Sequence, residues 1–237
     1  MIYELFYWPG IQGRGEFVRL VLEDASADYV DVARHPGGVK RMQAIMKGDG
    51  GAPLVPLAPP FLRAGELWVA QTAAITAFLG ERLGLAPADE QGRLTARTVA
   101  MTIADLVAEA HDTHHPVAPE KYHEEQKDEA KRRSESFRTA RMPKFLGYLE
   151  RVLERNGGDV LVGREVSYVD LAAFQVVEGL GYAFPRALAH LRDDLPRLLA
   201  LRDRIAARPR VAAYLASERR LPFNTQGIFR HYPELDG

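Results

Sequence analysis

The stretch FYWPGIQGRGEFVRL, residues 6–20, holds the residues most able to do chemistry. An apolar run ends at Tyr7-Trp8, a Pro-Gly turn follows, and Gly10, Gly13 and Gly15 precede a helical pattern. Strand, glycine-rich turn and helix is a common way to hold phosphate. The details argue against it here. A dinucleotide loop wants GxGxxG, and a P-loop ends in GK[ST]. This chain has GxxGxG with Glu16 after the last glycine, and a carboxylate at a helix N-terminus repels phosphate. The turn is better read as presenting a side chain, such as the hydroxyl of Tyr7. A second group is HDTHHP, with His111, His114 and His115, and His123 nearby. Two histidines four apart could ligate zinc, but HExxH is absent because position 112 is Asp, and no third ligand has a recognisable spacing. Lining a cleft or capping a helix before Pro116 suits them better, and no metal is expected. Asp105, Glu109 and Asp112 fall on one helix face, which is either a solvated or interface face or a reader of a substrate cation.

Composition narrows the chemistry further. There is no cysteine in 237 residues, so disulfides, thiolate metal sites and catalytic cysteine are all excluded. Any thiol chemistry must use a thiol carried by the substrate. The net charge of −1 and the charged fraction of 27% favour neither nucleic acid nor an anionic membrane as partner. The start, MIYELFYWPG, has neither a basic cluster nor a long apolar stretch, and no run reaches about 18 apolar residues. A cytoplasmic protein is expected.

The elements that must position these residues are legible by period. IYELFY, 2–7, reads as a strand with Tyr3, Leu5 and Tyr7 on one face and Ile2, Phe6 and Trp8 on the other. Val18, Val21, Leu22 and Ala25 follow helical spacing. YVDV, 29–32, is a short strand, GGVKRMQAIMKG, 37–48, a short helix, and FLRAGELWVA a hairpin turning at Ala64-Gly65. Gln71-Thr72 opens a helix carrying Ile75, Phe78, Leu79 and Leu83 on one face. The first 82 residues thus read βαβαββα, residues 83–92 a linker, and residues 93–237 all-helical. Within the helical part, 121–141 is dense in mixed charge and reads as a solvated helix, and SYVD at 167–170 fits a capping box. An α/β block followed by an all-α block implies two domains.

With FYWPGIQGRGEFVRL, APPFLRAGELWVAQTAAITAFLG and GREVSYVDLAAF in this order, the whole chain resembles a cytosolic glutathione transferase. Its aromatic pair, turn and Gly-Arg are similar to the tyrosine-type classes (alpha, mu, pi, sigma), and a bacterial or fungal member is expected. The resemblance implies a thioredoxin-like glutathione-binding domain, a helical domain with the electrophile pocket, glutathione as co-substrate and a homodimer. It implies that Tyr7 is the catalytic tyrosine, that Arg14 supports the site, and that Pro60 is a cis-proline. Pro59 before it would offer backbone to the cysteinyl unit, but as a proline it has only a C=O to offer, a departure from the usual two-bond pairing. Gln71 and Thr72 would hold the γ-glutamyl end, Lys47 the glycine carboxylate, and Asp112 (or Glu109) of the partner subunit the glutathione amine. Trp8, Ile11, His111, His115, Leu221 and Phe223 would line a pocket for a small hydrophobic electrophile. The turn PGIQG is about one residue longer than the family's.

The implied chemistry is physically economical. A free thiol has a pKa near 8.5, and lowering it by about two units requires about 2.7 kcal/mol of preference for the anion. One hydrogen bond to a charged group contributes about 1.5–3 kcal/mol, and a helix N-terminus about 0.3–1. A neutral phenol aimed at the sulfur is therefore sufficient. Conjugation to electrophiles is expected, with peroxide reduction by the same thiolate. Rival readings are a non-catalytic ligand carrier or interaction protein, and a narrow glutathione-dependent isomerase or dehalogenase. The aromatic tail RLPFNTQGIFRHYPELDG is expected to fold back near the cleft.

Overall fold

A computed structural model describes all residues, 1–237. Four strands form one mixed sheet in the order β2-β1-β3-β4. They are β1 (Tyr3–Phe6), β2 (Tyr29–Asp31), β3 (Phe61–Ala64) and β4 (Leu67–Ala70). β1 runs parallel to β2 and antiparallel to β3, so the end of β1 lies beside the start of β3, with Phe6 opposite Phe61. That register brings the turn after Tyr7 next to the bond between Pro59 and Pro60. The hairpin turns one residue later than its sequence suggests: Ala64 pairs with Leu67, leaving Gly65-Glu66 as the loop, and Gly65 takes φ +63°. A two-residue loop with a left-handed first position suits the strand twist.

Three helices pack on this sheet: α1 (Gly15–Asp24), α2 (Gly38–Met46) and α3 (Thr72–Leu83). Phe6 and Phe61 stack at 4.6 Å and are covered by Met42 and Ile45 of α2 in a small separate core. Leu5 and Leu62 point the other way, against Val18, Val21 and Ile75, as strand alternation requires. This second core runs on without a break into the helices that follow.

Those helices are α4 (Glu90–Asp112), α5 (Lys127–Ser136), α6 (Met142–Arg155), α7 (Tyr168–Ala183), α8 (Pro185–His190), α9 (Pro196–Ala206) and α10 (Pro209–Leu215). α4 begins inside the expected linker, because Asp89 accepts the N–H of Gly92 at 2.8 Å and caps it there. α8, α9 and α10 each start on a proline, which fits the first helical position where no N–H is needed. α7 lies in the centre, and its Asp170 accepts from the N–H and hydroxyl of Ser167, both at 2.8 Å, and from the N–H of Leu161 at 2.7 Å. The charged stretch 121–141 is not one helix. A short 3-10 turn (His123–Glu125) precedes α5, and a π-helical turn (Phe137–Arg141) follows it. The wide turn buries Phe137 completely while Arg133 and Arg141 on either side reach Glu109. No helix is long and apolar enough to cross a membrane.

Candidate functional site

Tyr7 follows β1 directly and is 4% exposed. The glycines of the turn make room for its ring. A Cβ at Gly13 would stand 2.1 Å from the phenol oxygen, and one at Gly15 would stand 2.5 Å from the ring. The turn therefore cradles a phenol, and no phosphate niche remains inside it. The N–H of Arg14 donates to the Tyr7 oxygen at 2.8 Å. Burial raises the Tyr7 pKa, and the Arg14 N–H with the charges of Arg14 and Arg19 offsets only part of that. The phenol is neutral at pH 7, and with its oxygen already accepting, its proton is free for donation.

Glu16 is fully buried and does not face the turn's mouth. It accepts from the Tyr214 hydroxyl at 2.8 Å, from Arg19 at 3.2 Å and from Arg220. Arg19, also fully buried, donates to Asp31 at 2.7 Å, and its guanidinium carbon lies 5.7 Å from the centre of the Tyr7 ring. Burial pulls the Arg19 pKa down, but Asp31 and Glu16 more than offset that, so Arg19 stays cationic. The sequence alone does not reveal this network. Its only local signal is Glu16 and Arg19 at i, i+3 on one helix; the other partners are 12 to about 200 positions away.

The bond between Pro59 and Pro60 is cis, at the mouth of β3. Gln71, before α3, holds φ +73°, a conformation that costs a non-glycine residue about 1 kcal/mol or more. Thr72 is the first residue of α3, and its hydroxyl is buried with no partner. A helix N-terminus with an unpartnered buried hydroxyl is prepared for an anionic group. Arg14 stands half-buried just before α1, making no side-chain cap bond to it, and its charge helps push down the pKa of His111. Lys47 ends α2, exposed, with no hydrogen bond or ion pair to tie it to the site.

The three histidine rings of HDTHHP cluster with centroids 4.8–5.1 Å apart, two pairs edge-on and one tilted. Burial lowers all three, His111 to about 4 and His114 to about 2, so they are neutral at pH 7. His114 bonds the carbonyl of Ile228 at 2.8 Å, and His115 that of Lys121 at 2.9 Å. No group of three or more His, Asp or Glu side chains is arranged around a possible ion. His111 keeps both ring nitrogens free of hydrogen bonds, whereas His115 is tied into the loop after α4. Trp8 is 37% exposed, and Ile11 is half-buried.

The tail closes over the turn. Gln12 donates to the carbonyl of Leu221, and Asn224 to that of Gly10 at 3.0 Å. Phe223 stacks on Tyr182 at 5.0 Å, and Phe229 lies on Gly179 of α7. Only about 10 Å³ remains between Gln12 and Gly13 on one side and Phe223, Ile228 and Phe229 on the other. Leu221 and Phe223 thus lie by the turn, Leu221 through its carbonyl and Phe223 beside the small space left there. Glu109 is paired within its own chain: Arg141 grips it with two nitrogens, one at 2.9–3.0 Å, and Arg133 adds a contact at 3.3 Å. Asp112 stays half exposed, 3.9 Å from Arg133, and Asp105 is exposed on the same helix.

The fold has counterparts among known proteins. Residues 111–218 match the family model for the glutathione S-transferase C-terminal domain. Among solved structures, prostaglandin synthase D of Nilaparvata lugens superposes with a TM-score of 0.72 at 21% identity, covering 94% of this chain and all of that one. The pi-class glutathione S-transferase of Onchocerca volvulus superposes with a TM-score of 0.68 at 21% identity, covering 96% and 99%. The architecture, a four-stranded mixed sheet with its helices followed by an all-helical part, is the glutathione transferase fold. Curated relatives agree over their full length. Glutathione S-transferase P of Bos taurus is 27% identical over 95% of this chain and 98% of its own, and glutathione S-transferase of Plasmodium yoelii yoelii is 22% identical over 88% and 90%. Residues 111–218 thus resemble the glutathione S-transferase C-terminal domain, and the whole chain is similar to the glutathione S-transferases named. The relatives named are eukaryotic and lend no support to a bacterial or fungal kind.

Proposed function

We propose that this protein is a glutathione transferase that uses the Tyr7 hydroxyl to hold glutathione as its thiolate. The observation that carries the reading is the buried, neutral phenol whose oxygen is fixed by the Arg14 N–H, leaving one proton to donate. The γ-glutamyl carboxylate would occupy the first turn of α3, where the Thr72 hydroxyl waits without a partner. The cysteinyl unit would run beside Pro59, whose carbonyl accepts, and Lys47 is free to meet the glycine carboxylate. The thiol proton leaves to solvent. The thiolate then attacks an electrophilic carbon, a carbon–sulfur bond forms, and the leaving group departs with its electron pair. A hydroperoxide would meet the same thiolate, with a second glutathione completing its reduction.

The assembly we propose is a homodimer. Leu94 and Met101, on one face of α4, Leu67 on the edge strand β4, and Leu57 are 49%, 61%, 47% and 93% exposed, and a second copy of the chain would cover them. Asp105 lies on the α4 stripe with Leu94 and Met101 and has no ion partner, which makes it a better acid than Asp112 to reach a second subunit. Reduced glutathione is a cytosolic thiol, and the chain's lack of cysteine suits a cytoplasmic setting without requiring it.

The test is turnover of glutathione with a chloronitrobenzene. Tyr7→Phe is expected to lose about 10–1000-fold in kcat/KM, as for one donor removed from a developing anion. Equal rates in the two proteins would refute the tyrosine mechanism, and glutathione bound without any turnover would make the protein a carrier.

A further inference from the structure

The buried cluster behind Tyr7 does not balance in charge. Three guanidinium groups, Arg19, Arg34 and Arg220, share two carboxylates, Glu16 and Asp31. Arg34 lies 2.9 Å from Asp31, and Arg19 has one terminal nitrogen buried with no partner at all. The charges farther out are matched among themselves: Arg219 with Glu23 at 3.0 Å, and Arg208 with Asp24 at 2.7 Å. Tyr214 and Gln175, which also face the cluster, are neutral donors or acceptors. Arg14, above the phenol, has no acid partner either. The cluster as a whole therefore carries one positive charge in excess, with Arg34 its outermost and partly exposed member, and the guanidinium of Arg19 lies 5.7 Å from the centre of the Tyr7 ring.

That excess exists only because the tail supplies Arg220. Its side chain is 10% exposed, and it reaches Glu16 with one nitrogen and Gln175 of α7 at 3.1 Å with another. Gln175 in turn donates to Gln12 at 2.9 Å, and Gln12 donates to the carbonyl beside Arg220, that of Leu221. The loop of contacts is closed, so the position of Arg220 is well defined. Without it, the two carboxylates would cancel Arg19 and Arg34.

We propose that Arg220 is a positioning residue for the thiolate: by occupying Glu16 it leaves Arg19 with unquenched charge beside Tyr7. This rests on the thiolate reading above. Buried charges act through low dielectric and are weakly screened, so an effect across one intervening residue is physically reasonable. Arg220 touches neither sulfur nor acceptor; its influence passes through Glu16, Arg19 and the phenol.

The experiment is a spectrophotometric titration of the thiolate of glutathione bound to the full-length protein. Arg220→Gln is expected to raise that thiolate pKa by about one unit, a tenfold lower thiolate fraction at pH values below it. Glu16→Gln should move it the opposite way. The double variant restores the excess of one cation and should return close to wild type, as should Arg220→Lys. A merely structural role would have both single variants shift the pKa upward and the double variant shift it further, and that pattern would overturn the proposal. So would an unchanged pKa in a folded Arg220→Gln. If wild type forms no bound thiolate, the functional reading fails on its own. The Tyr7 phenol, titrated in the free protein by difference from Tyr7→Phe, then decides the matter: Arg220→Gln must raise its pKa, and an unmoved phenol rejects the role.

Discussion

At Gly13 the absent side chain is a functional group in its own right. Its φ of +46° and the 2.1 Å that would separate an added methyl from the Tyr7 oxygen both exclude alanine, whereas Gly10 has nothing within 4 Å. Gly13→Ala should cost about 1–3 kcal/mol of stability and displace the phenol. Gly10→Ala should change little; urea unfolding and thiolate titration of the two variants check this. The histidines give a pH prediction. In the unfolded chain they protonate near 6.5, but in the folded protein His111 does so at about 4 and His114 at about 2. Between those limits the unfolded state binds more protons, so stability is complete above about 6.5 and is lost as pH falls, by up to about 1.4 kcal/mol per unit per histidine. Unfolding free energies at pH 7 and pH 5 should show the fall. His114→Gln, which cannot protonate, should flatten it. The positions of Tyr7 and Thr72 are legible in the sequence because each sits at a strand or helix end with recognisable punctuation. The burial of Glu16 is not legible there: its position suggests the turn's mouth, and nothing local announces that its partners are Tyr214 and Arg220.

Among the elements, α7 is the most legible, since its capping box and apolar run are local signals. The π-helical turn is not, because it answers to Phe137 and Glu109, which neighbouring residues do not reveal. The tail is the least regular element and one of the best anchored. Phe229 is 3% exposed against Gly179, Leu235 is 1% exposed, and Asp236 accepts the N–H groups of Arg186 at 2.9 Å and Ala187 at 3.2 Å, capping α8. Phe229→Ala should cost about 3–5 kcal/mol, and Asp236→Ala about 1 kcal/mol. Thermal or denaturant unfolding checks both. A tail that could be cut at Phe223 without loss of stability or change of acceptor range would contradict this packing. If the proposed acceptor site lies where the tail meets Gly10 and Gln12, Phe223→Ala should widen the range of bulky acceptors turned over relative to chloronitrobenzene.

Across the whole molecule, one core joins the sheet's inner face to α4, α7 and α9, so the sheet half and the helical half are not separable bodies. The block pattern of strands followed by helices is enough to read this architecture, because period and punctuation are local. The closure of the chain on itself is not readable that way, because it depends on pairings almost the length of the sequence apart. The exposed stripe on α4 predicts association: Met101→Glu should convert a dimer to monomer in sedimentation, and wild type sedimenting as a monomer would remove the interface from the proposal. The pairing of Glu16 with Tyr214 and Arg220 has a consequence in time as well as in space. During synthesis the first 82 residues emerge long before residues 214–220 exist, and until then a carboxylate destined for complete burial has only Arg19 to neutralise it. The nascent amino-terminal half is thus expected to remain open around Glu16, and the turn around Tyr7 to acquire its final shape only when the last stretch of chain leaves the ribosome.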